Sequence, residues 1–177
     1  MKRYFISAIL IASLSVSGCK LLNKLTQFYV NYSTSYTYPA GLPADIPVVN
    51  TPDVETNVQQ QFKNNNTNAD LVQSVKLDQL ELVITPEGQQ TFRFLKEVDI
   101  YIFALGQPET KIAGKSNIDN NVGSRIMLDV SDAELRNYLA ADSFGLRIRS
   151  VTDETVRSGI TATVNAKFFV DAKILGI

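Results

Sequence analysis

The chain has 177 residues, 45% of them hydrophobic and 20% charged, an ordinary balance for one folded domain. Its formal charge of −1 lacks the basic excess that draws proteins to nucleic acid. With no histidine and one cysteine, it excludes His-dependent triads, zinc sites of the Cys/His kind and an intrachain disulfide.

Lys2 and Arg3 form a short positive start, and Tyr4 to Val16 follow as a mostly apolar stretch. As a helix that stretch would be about 20 Å long, against a hydrocarbon core of about 30 Å. It is too short to span and has the layout of a secretory leader. It ends in Val16-Ser17-Gly18-Cys19, with small residues before the chain's one cysteine. This quartet resembles the lipobox of bacterial lipoproteins. The resemblance implies cleavage before Cys19, with residues 1–18 as the leader. It also implies a diacylglycerol and an N-acyl chain, such as palmitate, on Cys19. A plain leader with an incidental thiol is the alternative. Loss of Lys2 and Arg3 takes the formal charge from −1 to −3. In such lipoproteins an Asp after the cysteine retains the protein at the inner membrane. Lys20 stands there instead, which implies the outer membrane and leaves the periplasmic and surface sides both open.

Residues 19–26 then make a lipidated N-terminus and short tether, and 27–177 a single domain. From Phe28 to Tyr38, residues Phe28, Val30, Tyr32, Tyr36 and Tyr38 alternate with polar ones, which reads as a strand. Prolines 39, 43, 47 and 52 mark loops around a short strand at Ile46–Val49. Residues 55–70 read as an exposed loop with a helical turn anchored by Val58 and Phe62. Val75 and Leu77, then Leu80, Leu82 and Ile84, alternate with a slip near Asp78, the signature of a β-bulge. Pro86-Glu87-Gly88 is a turn. Val98–Leu105 is apolar on both faces apart from Asp99, which predicts a central strand covered on both sides. Lys111–Ala113 is an edge piece, and Ile126, Leu128 and Val130 make one alternating strand.

Ser131 and Glu134 have capping-box spacing, and Leu135, Tyr138 and Leu139 share a stripe, which predicts a helix over 131–141. Phe144, Leu146 and Ile148 alternate again. Every even position from Ile160 to Ile174 is apolar. Fifteen residues at about 3.3 Å each give roughly 50 Å, so a bend or a switch between sheets is expected. The pattern predicts an all-β antiparallel sandwich, immunoglobulin-like in the leading form and a small barrel in the rival one. An outer-membrane barrel would expose Arg147, Arg149, Lys167 and Asp171 to lipid, at high cost.

Chemistry is sparse. The carboxylate pairs Asp78/Glu81 and Asp153/Glu154 read as strand-face and turn charge. Asn117, Asp119, Asn120 and Asn121 lack the ligand spacing of a calcium loop. Arg125, Arg147, Arg149 and Lys167 suggest an anion-binding patch or a paired, solvated face. Tyr29, Tyr32, Tyr36 and Tyr38 are the candidate ligand-binding residues, since tyrosine offers an apolar ring with a polar tip. The alternative is that Tyr32, Tyr36 and Tyr38 line the inner face.

The whole domain resembles the small β-sandwich lipoproteins of Gram-negative, Bacteroidetes-like bacteria. The expected function is a lipid-anchored, non-enzymatic binding or structural accessory role in the cell envelope. Its partners would be the membrane, through the lipid, and an envelope protein or glycan, with no nucleic acid and no cofactor beyond the acyl groups. No catalytic or metal-ligating residue is assigned. The alternatives are a carboxylate-based glycan hydrolase and a carrier of an apolar ligand between the sheets.

Overall fold

The computed structural model describes residues 26–52, 57–86, 90–141 and 143–173. Val16, Ser17, Gly18 and Cys19 lie outside the described residues, as do Glu87, Gly88 and Ile174. The strands are β1 Gln27–Tyr38, β2 Val48–Asn50, β3 Val72–Ile84, β4 Leu95–Ala104, β5 Thr110–Ser116, β6 Arg125–Met127, β7 Asp129–Val130, β8 Phe144–Thr152 and β9 Ile160–Ala172. The α-helices are α1 Val58–Asn64 and α2 Arg136–Leu139.

Alternation builds the strands. In β9 every even residue from Ile160 to Ala172 is buried and every odd one is partly exposed. In β1, Val30, Tyr32, Tyr36 and Tyr38 are buried, while Tyr29, Asn31, Ser33, Ser35 and Thr37 are exposed. The register of β3 on β9 shifts between Leu77 and Gln79, so the bulge falls at Asp78 as the sequence pattern indicates.

Two antiparallel sheets result, ordered β1-β9-β3-β6 and β2-β8-β4-β5-β7. Their inner faces meet in one continuous apolar cluster that runs from Val30 to Ala172. This is the expected all-β sandwich, and the described strands close no barrel. The strand order refines the expectation. β1 pairs β9, β2 pairs β8, β3 pairs β6 and β4 pairs β5. First meets last and second meets second-to-last, as in one long hairpin rolled up, which is a jelly roll. An immunoglobulin order would instead keep the final two strands side by side in one sheet. Here β8 and β9 lie in different sheets.

Three local expectations are corrected. β9 does not change sheet over Ile160–Ala172: it lies between β1 and β3, which are of similar length, and pairs with both. The stretch around Leu128 is two strands. β6 pairs β3 and β7 pairs β5, so the chain crosses between sheets at Leu128, whose N–H donates to the Leu80 carbonyl at 3.0 Å. The helix over 131–141 shrinks to Arg136–Leu139, and no capping box forms. Glu134 reaches away, accepting from Val75 N–H at 2.8 Å and Ser74 Oγ at 2.7 Å. The same carboxylate also accepts from the N–H of Arg136, the first residue of α2, at 3.0 Å, so it ties β3 to the helix start. The segment expected as a loop with a helical turn holds the seven-residue α1, anchored by buried Val58 and Phe62.

Candidate functional site

The sheets sort the candidate tyrosines onto opposite faces. Tyr29 points outward and is 47% exposed, while Tyr32, Tyr36 and Tyr38 are buried in the core. Tyr32 packs edge-on against Phe144 at 4.9 Å, and Tyr38 against Phe94 at 5.0 Å. Burial pushes the Tyr32 hydroxyl up to about 12, with the Asn57 and Val58 backbone pulling the other way. Burial, then the neighbouring Tyr38 hydroxyl, lifts Tyr36 well above the ordinary value. These three rings hold the sheets together and form no platform with Tyr29.

The cations expected on related outward faces lie on two sheets. On the outer face of the four-stranded sheet, Lys167 pairs with Asp78 at 2.9 Å and sits over the Tyr29 ring at 3.8 Å. Arg125 pairs with Glu81 at 3.1 Å. On the outer face of the five-stranded sheet, Glu109 accepts from Arg147 with one oxygen and from Arg149 at 2.9 Å with the other. Arg147 lies over Phe103 at 5.2 Å and Arg149 over Tyr101 at 4.5 Å. The two cation–ring contacts run diagonally across neighbouring strands: Arg147 stands opposite Tyr101 but lies over Phe103, and Arg149 stands opposite Asp99 but lies over Tyr101. Glu109, Tyr101 and Phe103 carry no functional signal in the sequence. The alternations Tyr101-x-Phe103 and Arg147-x-Arg149 are visible there, but not that their strands are neighbours.

The carboxylates occupy similar positions. Asp78 and Glu81 each face a cation, and Glu154 pairs with Arg93 at 3.0 Å. Asp119 accepts from Asn121 N–H at 2.7 Å and so caps its own turn. Among the described residues no cluster of three or more His, Cys, Asp or Glu is placed to hold a metal ion.

Several open clefts lie among the described residues, and two of them border candidate residues named above. One, of about 420 Å³, lies beside the ion pair of Arg93 and Glu154, with Gln90, Arg157 and Ser158 at its rim. The other, of about 520 Å³, crosses the outer face of the four-stranded sheet. It is lined by Asn31 and Ser33 of β1, Asn165 and Lys167 of β9, Gln79 of β3 and Met127 of β6. The register sets Ser33, Asn165 and Glu81 in one row, and Ser33 Oγ donates to Asn165 Oδ1 at 2.9 Å. Its charges are paired and its other polar groups are amides and hydroxyls. Such a groove can exchange hydrogen bonds with a neutral polar ligand.

No family model matches the chain, and no curated protein matches it. Among solved structures it is similar to the decameric BFDV capsid protein, at 9% identity and a TM-score of 0.37, over 83% of this chain and 99% of that one. It is similar to tomato aspermy virus at 11% identity and 0.34, over 96% and 94%. Turnip yellow mosaic virus follows at 10% identity and 0.31, over 85% of each chain. Likeness at this level carries no functional argument.

Proposed function

We propose that this chain is a lipid-anchored binding or structural accessory protein of the bacterial envelope, without catalytic activity, held at the outer membrane through acyl groups on Cys19. The observation that carries this reading is the quartet Val16-Ser17-Gly18-Cys19, which closes a short apolar leader and holds the one cysteine. Two or three acyl chains, at about 0.8 kcal/mol per buried CH₂, make a lasting anchor. β1 begins at Gln27, eight residues beyond Cys19. Extended chain of that length reaches about 27 Å at most, which keeps the sandwich close to the lipid surface.

A binding role over a hydrolytic one is supported by the carboxylates. Asp78 and Glu81 each sit beside a cation, whereas a glycosidase acid needs a carboxyl kept protonated near neutral pH. The amide- and hydroxyl-lined groove of the four-stranded sheet is the surface we assign to an envelope glycan or protein.

The test is acylation. Cells fed an alkyne-bearing palmitate analogue should label the wild-type protein and leave Cys19→Ala unlabelled and uncleaved. Label retained on Cys19→Ala would refute the anchor.

A further inference from the structure

The cleft beside Arg93 and Glu154 has a fixed frame and an uncompensated charge. One wall is the short helical turn Phe92–Phe94. Phe92 and Phe94 are buried, so Arg93 between them is turned out to solvent. The other wall is the β8–β9 connection, 153–159. Three backbone bonds hold it in place. Asp153 N–H donates to the Phe94 carbonyl at 3.0 Å, Val156 N–H to the Leu42 carbonyl at 3.0 Å, and Gly41 N–H to the Val156 carbonyl at 2.8 Å. Val156 is buried, and Arg157 beside it is exposed. Gln90 Nε2 donates to Ser158 Oγ at 2.8 Å and ties the two walls together.

The charges in this frame do not cancel. Among the described lining residues, Glu154 is the one carboxylate, against the guanidiniums of Arg93 and Arg157. Glu154 accepts from Arg93 Nε at 3.0 Å. Among the described residues, the Nη groups of Arg93 carry no hydrogen bond, and Arg157 meets no carboxylate. That local positive surplus belongs to a chain whose formal charge is −1. Thr91 and Thr155 also line the cleft, and their hydroxyls hold no hydrogen bond among the described residues. A planar guanidinium grips a carboxylate through two parallel N–H···O bonds. Hydroxyls and an amide beside it can exchange hydrogen bonds with the hydroxyls of a ligand. The volume of about 420 Å³ is that of a small-ligand site.

We propose that this cleft binds an acidic sugar residue, its carboxylate taken by Arg157 and Arg93 and its hydroxyls by Thr91, Thr155 and Ser158. The site is separate from the groove of the four-stranded sheet, and it does not rest on the lipid anchor. Phe94 packs against Tyr38, the last residue of β1, so the cleft lies at the end of the sandwich away from Gln27. A chain tethered at Gln27 leaves that end open. Both guanidiniums face water, so a single sugar binds weakly.

The test is an amide NMR titration of the full-length chain, purified from its own cells in detergent, with sodium glucuronate. The amide signals of Arg93 and of residues 155–158 should shift saturably, and glucose at equal concentration should leave them in place. Arg157→Gln should weaken glucuronate binding about fivefold, the loss of one exposed ion pair. Its other signals should stay native, since Arg157 is exposed. Glu154→Gln frees Arg93 from its internal partner and should tighten binding. Glucose shifting the same amides as strongly would overturn the proposal, as would the lack of a saturable shift or an Arg157→Gln variant that binds as wild type does. Inorganic phosphate binding as tightly as glucuronate would leave a plain anion site and overturn the sugar. The readout sits in the cleft and not at Cys19, so a chain without acyl groups tests it equally well.

Discussion

Tyr38 of β1 and Ser150 of β8 meet across the core, with Tyr38 Oη 2.8 Å from Ser150 Oγ. Both residues are buried, and they belong to different sheets. Tyr36 Oη, 2.9 Å from Tyr38 Oη, extends the link into a chain of three hydroxyls. A buried hydroxyl left without its partner costs about 1–3 kcal/mol, more than the bond itself contributes. Tyr38→Phe strands its neighbours on both sides and should lower unfolding free energy by about 2 kcal/mol in urea titrations. Ser150→Ala leaves Tyr38 its bond to Tyr36 and should cost only about 1 kcal/mol. Equal losses would show that the middle position holds no special place.

The same hydroxyls make the fold sensitive to alkali. Tyr32 is raised to about 12 by burial, and burial also raises Tyr36 and Tyr38 above their ordinary value of 10.0. A raised folded value favours the neutral form, so this contribution to stability is intact below pH 10. It is lost as pH climbs through 10 towards 12, because unfolding then lets phenolates form. Absorbance near 295 nm and circular dichroism should therefore change together in that window. Phenolate absorbance that rises fully while the circular dichroism keeps its native signal would contradict the burial.

At the acid end the sensitive group is Glu134. Burial alone would raise its carboxyl, but hydrogen bonds from Val75 N–H, Ser74 Oγ and Arg136 N–H, with Lys76 nearby, hold it below the ordinary 4.5. A depressed folded value gives stability that is present above the unfolded value and lost as pH falls through the folded one. The melting temperature of Glu134→Gln should thus lie below that of wild type at pH 7, and the gap should close below about pH 4. A gap independent of pH would mean that shape, not charge, matters at this position.

Gly145 makes room for an aromatic ring. A Cβ there would collide with the Phe103 side chain, which lies on the neighbouring strand beneath the Arg147 guanidinium. Gly145→Ala should push the ring outward and break that cation–π contact, for a loss of about 1 kcal/mol. Phe103→Leu in the same background should relieve most of the strain. A melting temperature unchanged by Gly145→Ala would show that the ring relocates without penalty.

The sequence by itself determined which residues face inward along β1, β3, β8 and β9, but not along β4, where both faces read as covered and only one is buried. Extended backbone turns side chains to alternate sides, so the even residues of β9 and the tyrosines of β1 declared their face locally. The bulge at Asp78 was legible for the same reason, since an extra residue flips the phase. Tertiary structure decided everything that depends on which strand lies beside which. It rolled the chain into nested pairs, split the strand at Leu128 between two sheets, and set the Glu134 carboxylate between Val75 of β3 and Arg136 of α2. It also set Lys167 over Tyr29 and Arg149 over Tyr101. These contacts join residues far apart in the chain. Their energies exist only once the sheets have formed, so no local pattern could encode them.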